Sequence, residues 1–177
     1  MSGLTVWLTG LPGSGKSTTA DGLLDRLRAL GIVASILDGD VLRSGLNADL
    51  GFSDHDRNES VRRAGEVAIL LADANDQVVI VSLVSPLKSA RDAVRSRHGQ
   101  ADVDFIEVHI AASLEVCEAR DPKQLYARAR RGEVLHMTGI DSPYEPPTSP
   151  EVTLATGTVN AETSIGELER FVLSRRR

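Results

Sequence analysis

Gly10-Leu11-Pro12-Gly13-Ser14-Gly15-Lys16-Ser17 has the form G-x-x-x-x-G-K-S, the order of residue types that a phosphate cradle needs. Glycines let successive backbone N–H groups turn toward one anion, and a helix beginning near Lys16 adds the positive end of its dipole. In such a loop the lysine reaches the β- and γ-phosphates of a triphosphate, and the Ser17 hydroxyl is a ligand for Mg²⁺. Gly10, Leu11, Pro12, Gly13, Ser14, Gly15, Lys16, Ser17 and Thr18 are therefore the expected ATP-binding residues, with Lys16 also catalytic.

Phosphoryl transfer is mostly positioning and cancellation of charge, so further cations and a carboxylate near the attacking hydroxyl are required. Asp38 and Asp40 stand two apart at the end of a strand-like run, where they share a face if the strand continues and separate if Gly39 turns the chain. One of the pair can hold a metal-bound water while the other takes a proton from an acceptor hydroxyl. Arg43 and Arg57 follow the Asp pair and the Phe52 loop, placing them toward an anionic acceptor, whereas Arg128, Arg130 and Arg131 belong to a lid. Arg62 and Arg63 are expected on an outer helix face.

These residues need a scaffold. Apolar runs of strand length recur at Leu4–Leu8, Ile32–Leu37, Val78–Val84 and Phe105–Ile110, with a weaker one at Val152–Ala155. Helical stripes lie between them: Thr18–Leu30, stopped by Gly31; Val61, Ala64, Val67, Ala68, Leu71 and Ala72; Leu87 to about His98; and Ile165–Leu173. This alternation predicts an α/β three-layer sandwich on a mainly parallel five-stranded sheet, with ligands beyond the carboxyl ends of the strands. Asn47–Asn58 reads as a polar loop, and residues 121–147 as a mobile lid or substrate segment. The third strand leads to Ser85 rather than to a metal-binding aspartate, and no Asn-Lys-x-Asp stretch occurs, so a GTPase switch is disfavoured and a small-molecule kinase fits better.

With 177 residues, 41% of them hydrophobic, the chain suffices for a single domain. A net charge of −5 argues against a surface for duplex nucleic acid. The Arg175-Arg176-Arg177 tail reads as a solvated helix end, and the single Cys117 as a small core residue that excludes an internal disulfide. With neither a charged leader nor a long apolar segment, a cytoplasmic protein without a membrane partner is expected. His55, His98 and His109 have no evident partner in the sequence.

Several blocks at fixed intervals resemble one family. WLTGLPGSGKST, LDGDVLRSGLNADLGFS, Arg57 with Arg62-Arg63-Ala64-Gly65-Glu66, Val84-Ser85-Pro86, Phe105-Ile106-Glu107-Val108, the run from Leu114 to Lys123, Leu125-Tyr126, and Thr138-Gly139-Ile140-Asp141-Ser142-Pro143-Tyr144-Glu145 are similar to adenylylsulfate (APS) kinases. These P-loop enzymes use ATP to phosphorylate the 3′-hydroxyl of adenosine 5′-phosphosulfate, giving PAPS. The resemblance implies Asp40 beside the acceptor hydroxyl; Asp38 remains a catalytic candidate and, with Ser17, a metal candidate, and Arg120, Arg128 and Arg131 are candidates on the ATP side. The resemblance also implies Arg43 and Arg57 at the phosphosulfate, Phe52 on the acceptor adenine, Val84, Ser85 and Lys123 in that pocket, and a homodimer. Ser60 stands where the family usually has an asparagine, and Leu135-His136-Met137 where it has Lys-Gly-Phe. Ser60, His136 and Met137 are accordingly acceptor-side candidates, and a paralogue acting on another nucleotidyl compound, or a non-catalytic nucleotide-binding regulator, are the alternatives.

Overall fold

The structure is a computed structural model and describes residues 3–176. Its centre is a five-stranded sheet in the order β2-β3-β1-β4-β5, built from β1 (Leu4–Thr9), β2 (Ala34–Asp38), β3 (Val78–Ser82), β4 (Asp104–Ile110) and β5 (Val152–Leu154). Every pairing is parallel, with Leu4 opposite both Val78 and Asp104 in β1's two ladders. Buried β-branched residues on both faces of β1 and β3 explain the central places of these strands, since a parallel sheet must be covered on both sides.

α1 (Lys16–Ala29) and α7 (Ala161–Arg175) cover one face, where Leu23, Leu27, Leu168 and Val172 meet Val6, Leu8 and Ile80. α3 (Asp54–Asn75) and α4 (Lys88–Gln100) cover the other, packing Val61, Ala64, Ala68 and Val94 on Trp7, Val79 and Val81. The three-layer expectation therefore holds. A smaller apolar cluster of Cys117, Tyr126 and Met137 lies under the connection between β4 and β5, joined by Leu11, Leu114 and Ile140.

Several local expectations are corrected. Asn47–Asn58 is not a loop throughout, because α3 starts at Asp54: the Ser53 hydroxyl accepts from Asp56 N at 3.2 Å, so the polar residues there form a helix cap and first turn. α7 likewise begins at Ala161, where Asn160 caps it by accepting from Thr163 N. Three short helices have no counterpart among the apolar stripes of the sequence: α2 (Gly39–Arg43), α5 (Leu114–Arg120) and α6 (Leu125–Arg130), the last lying inside the lid segment.

His98, partnerless in sequence, is a core residue joining α4 to β1, with Nδ1 2.8 Å from Val94 O and Nε2 3.0 Å from Thr5 Oγ1; burial holds its pKa down. Arg63 is tied down rather than solvated, bonding Asp49 and Glu59, whereas Arg62 is exposed and pairs with Glu59. In the basic tail Arg176 donates to Asp76 O at 3.0 Å, and Arg177 lies outside the described residues.

Candidate active site

All the parallel strands end at one rim, and a cleft of about 800 Å³ opens there. Its floor is the glycine loop between β1 and α1. Gly13 and Gly15 take φ of +76° and +105°, conformations that L side chains rarely adopt and that let the loop curl tightly between strand and helix. Pro12, Gly13, Gly15, Lys16, Ser17 and Thr18 line the cleft, while Gly10, Leu11 and Ser14 stand behind it. Gly10 has no room for a side chain: a Cβ there would meet Ile110 O at 2.7 Å and Ser14 Oγ at 2.8 Å. Leu11 instead packs into the cluster beneath the lid.

Lys16 folds back onto its own loop, its Nζ donating to Gly10 O at 2.9 Å and Leu11 O at 2.8 Å. Burial lowers its pKa to about 8, a fall only partly opposed by Cys117, Asp38 and Asp40. A buried cation resting on two neutral carbonyls is a group that an anion would stabilise.

Asp38 closes β2 and caps α2, accepting from Asp40 N at 2.9 Å. The chain therefore turns at Gly39, and the two carboxylates do not share a strand face. Asp38 faces the loop, where Ser17 Oγ donates to its Oδ2 at 3.2 Å. Asp40 faces across the cleft and pairs with Lys123, from the turn before α6.

The opposite wall is cationic and aromatic. Arg43 lies 4.1 Å over the centre of the Phe52 ring and Arg57 5.8 Å from it, leaving Phe52 itself 53% exposed. Both guanidinium groups direct their hydrogen bonds to neutral oxygens. Arg43 donates to Gly51 O at 3.0 Å; Arg57 donates to Phe52 O at 2.9 Å, to Thr138 Oγ1 at 2.7 Å and to His136 O. Burial works against both charges, and Arg43 adds repulsion at Arg57. Two partly desolvated cations flanking an exposed ring suit a ligand with an anionic group and a flat apolar one.

Ser60, Val84, Ser85, His136 and Met137 also line this cleft. The Ser60 hydroxyl accepts from Asn47 Nδ2 at 2.9 Å, Met137 is buried, and His136 adopts a left-handed φ of +58°. Asp141 stabilises that turn by accepting from the His136 and Met137 N–H groups.

The arginines expected near ATP separate. Arg120 lines the cleft and holds the loop backbone, donating to Ser14 O at 3.3 Å and Thr156 O at 2.5 Å. Arg128 and Arg131 do not reach the cleft; both pair with Glu133, and Arg130 pairs with Glu118. Sequence reasoning missed Thr156, whose hydroxyl donates to Ser14 O at 2.8 Å, and the lining residues Val159, Asn160 and Ala161. Thr156 follows β5 at its carboxyl end, so the strand-end rule applied to the other four strands would have found it. It also missed Tyr126, whose hydroxyl donates to Pro12 O at 2.8 Å.

A glycine cradle with a buried lysine, at the carboxyl rim of a parallel sheet and opposite a carboxylate, defines a P-loop phosphotransferase. Comparison with known proteins narrows this class. A family model described as Adenylylsulphate kinase matches residues 2–155. Adenylyl-sulfate kinase of Geotalea uraniireducens is 48% identical over 169 residues, 96% of this chain and 80% of that protein. The counterpart in Citrobacter koseri is 55% identical over 152 residues, 86% of this chain and 74% of its own. Among solved structures, the Mycobacterium tuberculosis APS kinase CysC in complex with AMPPNP and APS superposes with a TM-score of 0.94 at 48% identity, covering 97% of this chain and 98% of that one. The chain belongs to the adenylylsulphate kinase family.

Proposed function

We propose that the protein transfers the γ-phosphate of ATP to the 3′-hydroxyl of adenosine 5′-phosphosulfate, releasing ADP and PAPS. The observation that carries this reading is one cleft in which Lys16 and Ser17 face Asp38 and Asp40, with Arg43, Phe52 and Arg57 opposite. ATP lies with its phosphates in the glycine loop, where Lys16 cancels charge on the β/γ side. The acceptor stacks its base on Phe52 and sets its phosphosulfate against Arg43 and Arg57. Asp40 takes the hydroxyl proton as that oxygen bonds to the γ-phosphorus. The bond from that phosphorus to the bridging oxygen breaks, and ADP leaves with the electron pair.

Ser17 and Asp38 fit Mg²⁺. They are hard oxygen donors 3.2 Å apart on the cleft floor. These two residues would hold the ion beside the bound triphosphate, its other positions being left to substrate and water, as this ion prefers. Bound there, Mg²⁺ supplies further neutralisation of the β/γ-phosphates.

A coupled ADP-release assay with APS against a panel of nucleotides tests the assignment, with PAPS identified by mass. Turnover only with a different acceptor would replace it by the second reading, a kinase for another nucleotidyl compound. That reading is favoured by Ser60, already engaged by Asn47, and by buried Met137 on the acceptor side. The homodimer belongs to the same proposal: Val41, Leu46 and Leu70 leave exposed apolar surface, and sedimentation measures the state directly. No described helix is long and apolar enough to cross a membrane; a cytoplasmic setting is proposed because that is where ATP is supplied.

A further inference from the structure

Ser85 stands on the cleft wall with a φ of +39° and is 2% exposed. A non-glycine residue persists in that region only where its surroundings over-determine it. Here they do. Thr9 Oγ1 donates to Val84 O at 2.7 Å, Trp7 Nε1 donates to Ser85 Oγ at 3.0 Å, and Arg91 Nη1 donates to Ser85 O at 2.7 Å.

Arg91 is itself buried, 2% exposed, and all three edges of its guanidinium are used. Nε donates to Glu107 Oε1 at 2.8 Å, and Nη2 donates to Glu145 O at 2.7 Å. Glu145 ends the turn at the lid's return and is fastened twice more: its N donates to Pro86 O at 2.8 Å, and its Oε2 accepts from Lys88 N at 2.6 Å. The carboxylate thus caps α4, for which Leu87 at the N-cap offers no side-chain acceptor. Arg91 lies in the first turn of that helix. Farther back in the same lid segment, His136 O and Thr138 Oγ1 accept from Arg57 on the opposite wall. One stretch of chain therefore joins both walls of the acceptor side, through Arg57 at one end and Arg91 at the other.

We propose that Arg91 and Glu145 are positioning residues for the acceptor: they lock Ser85 in its left-handed conformation and fix the lid root to it, so that the wall facing Asp40 is formed before substrate arrives. This rests on the phosphotransfer reading above, with Ser85 lining the same cleft and placed in the acceptor pocket by the family resemblance. Neither residue lines the cleft, and these hydrogen bonds go to Ser85, Pro86, Lys88, Glu107 and each other rather than to the glycine loop. Loss of the clamp lets the wall relax while the ATP side stays in place.

The test uses two variants of the whole chain. Arg91→Lys keeps a cation for Glu107 but cannot serve both carbonyls as a planar fork does. Glu145→Ala removes the exposed carboxylate that caps α4 while keeping the main-chain bonds to Arg91 and Pro86, so it loosens the first turn that carries Arg91; it carries the test alone if Arg91→Lys does not fold. For each, KM for APS and for ATP are measured, together with the emission of Trp7, the chain's single tryptophan, which bonds Ser85 directly. The expected result is a rise of about ten-fold in acceptor KM with ATP KM changed less than about two-fold, and a shifted Trp7 emission without substrates. Adding Ser85→Gly shrinks the penalty of Arg91→Lys, because glycine holds a positive φ unaided. Equal rises in both KM values, a penalty unaltered by Ser85→Gly, or an unmoved acceptor KM overturns the proposal. If wild-type protein does not turn over APS, the functional reading fails by itself; Trp7 emission then decides the clamp, a shift supporting it and silence overturning it.

Discussion

Lys16 is a cation kept in a place that disfavours cations, with burial holding its pKa near 8 against an ordinary 10.5. A bound triphosphate favours the charged form and raises that value, so affinity is fully present below about pH 8 and lost as pH rises above it, toward ten-fold per pH unit. Calorimetric titration of AMPPNP between pH 7 and 9.5 reads this directly, and affinity independent of pH would contradict it. Asp40→Asn keeps the shape of the side chain and removes the proposed base. We expect kcat to fall by about 10²- to 10⁴-fold while AMPPNP binding is retained, measured by the same titration beside the coupled assay. The loop containing Lys16 was legible because its residues are contiguous and its geometry is local. Arg128 and Arg131 were not, because each had a carboxylate close by in the chain, Glu133, and sequence alone does not decide between that local partner and a distant phosphate. Arg91 was invisible for a different reason: its partners Ser85, Glu107 and Glu145 meet only after folding.

Helix α3 shows how a polar stretch can hide an element. Its first turn carries Asp54 and Asp56 after Ser53, residues that favour a helix N-terminus by side-chain acceptance and by the dipole, yet their polarity alone suggests a loop. Ser53→Ala removes the acceptor for Asp56 N and is expected to lower stability by about 1 kcal/mol, read as a drop in denaturant midpoint with the slope unchanged. Since Arg57 stands in the next turn and reaches Thr138, acceptor KM should rise with it. The long strands and the stripes of α1 and α3 were readable because periodicity accumulates over many residues. α2, α5 and α6, of five to seven residues each, are too short to display a period, and depend on the rim they sit on.

At the scale of the molecule, the βα alternation specified a parallel sheet with two covered faces, but strand order is decided by packing that no local window contains. The segment 121–147 likewise joins distant parts: Lys123, before α6, pairs with Asp40, and Thr138, after it, accepts from Arg57. Trypsin cleavage at exposed Arg130 and Arg131 is expected to slow by about ten-fold when AMPPNP and APS are both present, and much less with either alone. Fragment mapping on gels checks this, and equal cleavage in all conditions removes the lid from the mechanism. The brace from Thr156 to Ser14 carries a consequence for how the protein comes into being. The cradle leaves the ribosome 142 residues ahead of this buttress, and β1 emerges before β3 and β4, the strands that flank it. Over that interval the nascent loop lacks its brace, and a full grip on ATP is expected only once the residues beyond β5 have cleared the exit tunnel.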